Sequence, residues 1–395
     1  MSTDVSFRIA DLQAFHVSLS DQPGYWETFQ QDQSSQASPR FEFRPGWQTV
    51  YPTTVESILV RILLTDGTVG WGEANCPIGP EVAALIAESF LLPMARDREF
   101  SGALELWDFL YDAQRGRGYA AGYYLDAMAA LDIAVWDALG MREQLPVAQL
   151  LTDAPRQRLP VYLSGLRQAT RKDRVETLKK WLDSGLTGVK IFLNGDVDEG
   201  CEELAALQSA APETEQWMAD TLWMCDPDGA RRAKTQLADQ GVRFLECPLQ
   251  PEDLRGHREL VAAPGVAIAL GEHFRTHYQT EVWFESPRGL DIFQLDVGRT
   301  GLSDGLRQIE QATSAGVAST PHMGNGLAVF QAATLHFAAA CDGQYLQEYQ
   351  AGLAERGASI GSTDWQYDEG AFVVPDTPGL GIQIDEEAVS RYSSR

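Results

Sequence analysis

Five acidic residues and one histidine recur at nearly equal steps through the second half of the chain. The steps between them are 26, 26, 24, 26 and 26 residues, and each residue closes a short apolar run. Stretches of helical pattern separate the runs, and a strand followed by a helix has about this length. Consecutive strand-helix units predict that these side chains lie at the carboxyl ends of parallel strands, where barrel active sites are built. The set is Asp220, Glu246, Glu272, Asp296, His322 and Glu348.

The first three carboxylates predict a metal site. Asp220, Glu246 and Glu272 on neighbouring strand ends would repel one another unless a positive charge lay between them. Oxygen-only ligands favour Mg²⁺ over zinc. Any one of the three could instead cap the helix that follows it, but helix capping explains three in register poorly.

His322 and Lys190 are the candidate acid-base groups. Alone, a histidine in "TPHMGNG" is more often a packed or capping residue than a base. Asp296, one strand earlier, could hold one ring nitrogen of His322 and so fix its tautomer, as in catalytic pairs. Lys190, in "VKIFLNG", is expected to end the second strand. A lysine in a barrel mouth needs an anionic partner, which a substrate carboxylate or the metal ligands would supply.

The composition narrows the class of protein. The chain has 395 residues, 44% of them hydrophobic and 22% charged, and its net charge is −25. That acidity disfavours a nucleic-acid partner. We expect no membrane span, because no apolar run reaches about 18 residues, and no signal peptide. The five cysteines are scattered, without a Cys-x-x-Cys spacing, which is typical of reduced thiols and favours a cytoplasmic protein.

The length exceeds one barrel of roughly 250 residues, so two domains are expected. Residues 1–157 read as an α+β capping domain in which about 20–53 form a lid loop and the helix that ends at Gly140 is buried. Residues 158–352 read as the barrel with the active site, and 353–395 as a return that packs on the capping domain. The predicted strands are Val161–Ser164, Gly188–Leu193, Gln216–Asp220, Val242–Glu246, Val266–Leu270, Asp291–Asp296, Val317–Thr320 and Tyr345–Glu348.

Over nearly its whole length the chain resembles the enolase superfamily, mandelate racemase subgroup. The phrases that carry the resemblance are "AVWDALGMREQLPVAQLL", "SGLTGVKIFLNG", "FLECPLQPED", "ALGEHFRT", "QLDVGRTGLSDGLRQI" and "PHMGNG". The resemblance implies an α/β fold, a (β/α)₇β modified TIM barrel with an N-terminal α+β capping domain. It also implies homo-oligomers, from dimers to octamers.

The same resemblance assigns roles to the recurring residues. It implies Mg²⁺ bound by Asp220, Glu246 and Glu272, as the superfamily combines a metal with a Lys or His base. The His–Asp dyad of the subgroup falls on His322 and Asp296. The acid on the eighth strand, which hydrogen-bonds the enolate, falls on Glu348.

One departure from the subgroup pattern selects among its reactions. Racemases usually carry Lys-x-Lys on the second strand, but here the motif is Lys190-Ile191-Phe192. Phe192 cannot take a proton, which disfavours two-base racemisation. Muconate cycloisomerase and dipeptide epimerase activities are also disfavoured, because they depend on lysine bases. A base on a single face suits elimination of water from an aldonate or aldarate, a small anionic polyhydroxy acid, to form a 2-keto-3-deoxy acid.

The sequence leaves the substrate contacts and two other functions open. The expected substrate-binding residues are His273, directly after Glu272, and Tyr25, Trp26 and Arg44 on the lid, with Arg40 beside them. The first alternative is an epimerase or racemase that uses His322 with an unrecognised second acid. The second is a non-catalytic barrel that binds a metabolite.

Overall fold

An eight-stranded parallel barrel forms the centre of the protein. The computed structural model describes residues 5–19, 35–36, 40–44, 48–193, 196–324, 326–341 and 343–394. Each of the first six barrel strands pairs in parallel with the next, and the eighth pairs in parallel with the first. Two side-chain hydrogen bonds join the seventh and eighth, from Thr320 to the Leu346 carbonyl (3.0 Å) and from Gln347 to the Pro321 carbonyl (2.7 Å). In order, the strands are Arg158–Ser164, Gly188–Phe192, Gln216–Asp220, Val242–Glu246, Ala267–Leu270, Ile292–Phe293, Ala318–Ser319 and Gln347–Tyr349.

Seven helices alternate with these strands, which confirms the predicted (β/α)₇β barrel. Most begin at a strong capping residue: the side chains of Thr170, Asp196, Asp226, Asp253 and Asp296 each accept a hydrogen bond from a first-turn N–H. Such caps satisfy backbone donors that a helix start leaves without partners. The helices are Arg171–Leu182, Val197–Ala210, Pro227–Asp239, Leu254–Ala262, His277–Phe284, Val297–Ser314 and Ala328–Ala340.

Large apolar side chains fill the barrel interior. Side chains of a strand alternate between its two faces, so every second residue points inward. The inward-facing residues form a cluster separate from the main core, as layered packing in such barrels predicts. It consists of Tyr162, Met218, Phe244, Ala269 and Ile292, all buried.

The capping domain is built on an antiparallel sheet. Phe7–Leu19 pairs with Val55–Leu64, which pairs with Val69–Ala74. Two short strands, Glu99–Phe100 and Ser393–Ser394, add to Phe7–Leu19. A second small sheet contains Ser35–Gln36, Phe41–Arg44 and Thr49–Pro52. The helices are Pro80–Ile86, Leu92–Ala95 after a π-helical turn at Ala87–Leu91, Ala103–Arg115, Tyr123–Glu143 and Val147–Leu151.

The helix Tyr123–Glu143 is buried from Tyr124 to Gly140, as its apolar circumference predicts. The prediction that it ends at Gly140 is wrong. The helix continues for three residues, and Gln144, with φ 56°, is its left-handed cap. Gly140 is instead a point of close approach, since a Cβ there would lie 2.8 Å from the Cα of Gly379.

The segment after residue 352 contacts both domains. Ala371–Val373 pairs antiparallel with the first barrel strand, and Gln366–Asp368 pairs with Ala371–Val373. The helix Glu386–Tyr392 and the strand after it lie on the capping domain, against Phe7–Leu19. The remaining elements are Ala351–Gly357, Gly361–Thr363 and Ile382–Ile384. Within the described ranges, no helix combines the length and apolar character that crossing a membrane requires.

Candidate active site

A cavity of about 690 Å³ lies between the capping domain and the mouth of the barrel. The capping domain contributes the segments 48–52, 75–78 and 122–123, the first of which belongs to the predicted lid. Of the predicted catalytic and metal-binding residues, five line this cavity and two are buried directly behind them. The lining residues are Lys190, Asp220, Glu272, His322 and Glu348, and the two behind them are Glu246 and Asp296.

Lys190 lies among three carboxylates inside the barrel. Its Nζ is 2.8 Å from Glu246 Oε2, 2.8 Å from Glu348 Oε1 and 3.6 Å from Asp220 Oδ2. Burial acts to lower the pKa of Lys190, but Glu246 and Glu348 raise it well above its usual value. The neighbouring carboxylates therefore favour the protonated, positively charged lysine. Lys190 is the third of the five residues of the second strand, Gly188–Phe192. It therefore lies in the middle of the strand, whereas the sequence predicted a position at its end.

Asp220, Glu246 and Glu272 form a crowded acidic group. Oxygens of Asp220 and Glu246 lie within 4.8 Å of one another, as do oxygens of Glu246 and Glu272. Burial and the Glu246 charge raise the pKa of Asp220 well above its usual range, and burial also raises that of Glu246. Buried carboxylates that raise one another's pKa need a cation to stay ionised together. Their hard oxygen donors fit a divalent ion such as Mg²⁺.

His322 is held between two carboxylates. Its Nδ1 lies 2.8 Å from Asp296 Oδ2, and its Nε2 lies 2.9 Å from Glu272 Oε2. Burial acts to lower the pKa of His322, but Glu272, Glu348 and Asp296 raise it well above its usual value. Asp296 is itself fixed, because it caps the helix Val297–Ser314 and its Oδ1 accepts a 2.8 Å hydrogen bond from the Gly298 N–H.

The loop after the third barrel strand is strained. Leu222 and Trp223 have φ of 50° and 64°, which non-glycine residues rarely adopt. The Leu222 N–H donates to Asp220 Oδ1 (2.8 Å), and the Trp223 indole N–H donates to Glu272 Oε1 (3.0 Å). The unusual backbone thus orients two of the acidic residues, which agrees with the tendency of strain to collect at functional sites.

The expected substrate-binding residues are placed differently. His273 is not among the described residues that line the cavity; it packs against the rings of Trp223, Phe274 and Trp283, and burial lowers its pKa to about 4. Arg44 pairs with Glu42 on the lid hairpin and does not line the cavity either. Tyr25 and Trp26 lie outside the described residues.

Three further polar side chains support the site, although the sequence reading did not select them. Asn75 Nδ2 donates to Asp296 Oδ2 (2.6 Å), Gln294 Nε2 donates to Glu246 Oε2 (2.8 Å), and Trp223 contacts Glu272. The sequence could have indicated Gln294, because it precedes Asp296 by two residues and side chains two residues apart on a strand face the same side. No sequence pattern could have indicated Asn75, since it belongs to the capping domain, 221 residues from Asp296.

The comparisons with known proteins identify the family. Residues 173–388 match the enolase C-terminal domain-like family. Residues 39–152 match the N-terminal domain of the mandelate racemase and muconate lactonizing enzymes. The chain belongs to the enolase superfamily, in its mandelate racemase subgroup. The predicted family is therefore confirmed.

Several members of the superfamily resemble this one along most of its length. D-galactarolactone cycloisomerase of Agrobacterium fabrum is 28% identical over 350 residues, which is 85% of this chain and 90% of that one. Arabinonate dehydratase of Saccharolobus solfataricus is 26% identical over 351 residues, covering 86% and 91%. A crystal structure of an enolase-superfamily member from Agrobacterium tumefaciens superimposes with a TM-score of 0.90 at 30% identity, covering 98% and 99%. These relatives confirm the prediction that this superfamily member is an enzyme.

Proposed function

We propose that this enzyme dehydrates a small polyhydroxy acid, an aldonate or an aldarate, to a 2-keto-3-deoxy acid. The observation that carries the proposal is the pair His322–Asp296, with a distance of 2.8 Å, in a cavity where Phe192 occupies the position of a second lysine base. One competent base favours elimination over proton return to the opposite face. Dehydratase and cycloisomerase relatives support an acid-sugar substrate.

The difficult step is removal of the proton next to the substrate carboxylate, because a second negative charge then develops on the same group. Lys190 is the charged side chain that can lie against this group, and Glu348 is the hydrogen-bonding partner beside Lys190. Asp220, Glu246 and Glu272 would hold Mg²⁺, which when bound stabilises the developing charge as a Lewis acid. Preorganised charges of this kind stabilise a transition state more than they would in water.

His322 moves the protons. Its Nδ1–H donates to Asp296, so in the neutral ring Nε2 carries the lone pair that accepts the proton from the α carbon. Glu272, which lies 2.9 Å from Nε2 in this structure, must then direct its oxygen elsewhere, as a metal ligand would. As the C–H electron pair forms the double bond, the bond between the β carbon and its hydroxyl breaks. The imidazolium returns the proton to that hydroxyl, which leaves as water. The resulting enol tautomerises to the 2-keto acid, so no oxidant or co-reactant is needed.

A second candidate has the same chemistry with a different leaving group. The relative from Agrobacterium fabrum is a D-galactarolactone cycloisomerase. In a lactone the oxygen on the β carbon belongs to the ring, and its departure opens the ring without loss of water. Epimerisation is disfavoured because, in the described part of the cavity wall, Phe192 stands where an opposite-face base is needed. A non-catalytic metabolite-binding role does not agree with the confirmed enzyme family.

The test is a keto-acid assay with Mg²⁺ over aldonates, aldarates and aldarolactones, using the wild type and His322→Asn. We expect one acid to give a 2-keto-3-deoxy product and the variant to lose about 10² to 10⁴-fold in rate. Deuterium exchange from solvent into recovered substrate without elimination would favour epimerisation. The homo-oligomer of two to eight copies stays a prediction, which light scattering can check.

A further inference from the structure

Arg299 is a cavity residue that the proposed reaction does not use. It lies in the first turn of the helix Val297–Ser314, where its N–H donates to the Asp296 carbonyl (3.0 Å). The capping domain docks at this turn, because the Asn75 N–H donates to the Gly298 carbonyl (3.0 Å). Arg299 therefore lies where the two domains meet, and its half-buried side chain lines the cavity.

The guanidinium of Arg299 has no hydrogen bond or ion pair with any residue in the described ranges, and its Nε is buried without a partner. A charged group with a nitrogen that is shielded from water and makes no hydrogen bond is costly in a folded protein. Arginine at such a position therefore points to a partner that arrives with the substrate.

Among the described residues, the nearby acids Asp126, Asp296 and Glu272 form no hydrogen bond or ion pair with the guanidinium, and their oxygens accept from other donors. Asp126 accepts from Arg275 at 2.8 and 3.3 Å. Asp296 accepts from the Gly298 N–H at one oxygen and from Asn75 and His322 at the other. Glu272 accepts from the Trp223 indole at one oxygen and contacts His322 at the other.

The other cations that line the described cavity are already paired. Lys190 contacts three carboxylates, Arg275 contacts Asp126, and His322 lies between two carboxylates. Among the described residues that line the cavity, Arg299 is therefore the cation without an ion-pair partner. The planar guanidinium offers a fork of N–H donors that matches a carboxylate in a bidentate geometry.

We propose that Arg299 binds the second carboxylate of a dicarboxylic sugar acid, so that the enzyme selects an aldarate over the aldonate of the same configuration. The inference rests on the proposed function, in which the reacting carboxylate lies at Lys190 and the acidic group. A terminal hydroxyl in place of the second carboxylate could accept one hydrogen bond from Arg299 but would leave its charge uncompensated. The cost of that unpaired charge would make the aldonate the poorer substrate.

The first experiment compares kcat/KM for galactarate and galactonate, and for other matched pairs that differ only in the oxidation state of the terminal carbon. We expect a preference of at least about 10-fold for the diacid, from the usual cost of leaving one member of a buried ion pair alone. In Arg299→Gln the ratio should fall to near one, chiefly through a higher KM for the diacid.

The matched control is Arg307→Gln, on the same helix but paired with Asp108 at 2.7 Å, away from the cavity wall. This variant should keep the wild-type ratio. If Arg299→Gln lowers kcat/KM for both acids by the same factor, Arg299 is structural and the inference is overturned. Equal use of both acids by the wild type would overturn it as well.

A binding measurement separates this inference from the proposed function. Calorimetry with His322→Asn and Mg²⁺ reports binding of galactarate and galactonate without turnover. Tighter binding of the diacid, lost when Arg299→Gln is added, supports the inference even if no sugar acid is dehydrated. Equal binding of the two acids, or no binding of the diacid, overturns it even if dehydration is observed.

Discussion

Asn75 of the capping domain donates a 2.6 Å hydrogen bond to Oδ2 of Asp296 in the barrel, across 221 residues of sequence. The same oxygen accepts from Nδ1 of His322 (2.8 Å). The carboxylate that orients the proposed base is therefore itself oriented by the other domain. This contact makes domain docking part of the active site, because the position of the base depends on it.

Replacement of Asn75 by alanine should lower kcat by about 10- to 100-fold, as expected for one lost hydrogen bond to a charged group. KM should change little, because Asn75 supports the base rather than the substrate. Steady-state kinetics on the substrate found in the panel measures both values. An unchanged kcat would show that Asp296 keeps its position without this donor. Asn75→Asp should lose more, since it places a second negative charge beside Asp296.

Removal of the Lys190 charge should destabilise the metal-free protein. Lys190→Met leaves Glu246, Glu348 and Asp220 buried without their cation. Breaking a buried ion pair from one side costs about 3–5 kcal/mol. Urea denaturation in EDTA should show this loss, and saturating Mg²⁺ should recover part of it. Lys172→Met is the control, because its exposed pair with Glu176 contributes little. Equal stability of the two variants in EDTA would contradict the prediction.

The free energy of unfolding should fall as the pH rises from about 4 to about 7, the range over which the buried Asp132 carboxyl loses its proton. This carboxyl is buried in the helix Tyr123–Glu143, and burial raises its pKa to about 7 from the 3.8 of an exposed aspartate. The folded state therefore binds the proton more tightly than the unfolded state, so the stabilisation is complete below about pH 4 and is lost by about pH 7.

The variant Asp132→Asn should flatten this dependence. The amide oxygen can still accept from the Ser303 N–H, which lies 2.9 Å from Asp132 Oδ2. Melting temperatures between pH 4 and 8 should fall less in the variant than in the wild type. Asp108→Asn, at a half-exposed side chain, should keep the wild-type slope. A slope that is the same in all three proteins would exclude Asp132 as the titrating group.

The contact between the capping sheet and its buried helix should not tolerate a methyl group. A Cβ on Gly72 would lie 1.9 Å from the Ala130 carbonyl oxygen, so helix and strand would have to separate. Gly72→Ala should cost at least about 3 kcal/mol, the upper end of typical overpacking, or prevent folding. Gly116→Ala is the control, because no atom of the described residues lies within 4 Å of its Cβ and its φ is −65°. Soluble yield and melting temperature measure the difference, and equal values would disprove the close contact.

The regular spacing of the acidic residues and His322 along the chain was sufficient to predict the barrel. A strand and a helix of ordinary length give the 26-residue step, so the recurring acids and His322 had to reach one face. The strand ends were placed to within a few residues. The sixth and seventh strands are shorter than predicted, two residues each, and Asp296 caps the next helix instead of ending a strand.

Local patterns failed where a residue's role depends on a partner from elsewhere. Gly140 follows an apolar run and resembles a helix end, but its lack of a side chain serves the approach of Gly379. His273 follows Glu272 directly, yet its ring turns into an aromatic cluster with Trp223 and Trp283. Gly379 and Trp223 lie far from these residues in sequence, so no local spacing could have indicated either contact.

By itself, the sequence determined the fold, the family, the acidic group, the His322–Asp296 pair and the replacement of a second base by Phe192. The fold, the acidic group and the pair follow from residue type and from a repeat whose physical cause is local, the length of a strand-helix unit. The family and the role of Phe192 rest on the resemblance to the mandelate racemase subgroup. Only the tertiary structure decided which carboxylate oxygens already accept hydrogen bonds and which charged side chain of the cavity wall lacks an ionic partner in the described residues. It placed Asn75 on Asp296, gave both oxygens of Asp126 to Arg275 and left Arg299 without a partner among the described residues. Pairing of this kind depends on how two domains dock, because hydrogen bonds reach about 3 Å and cannot be inferred from distance along the chain.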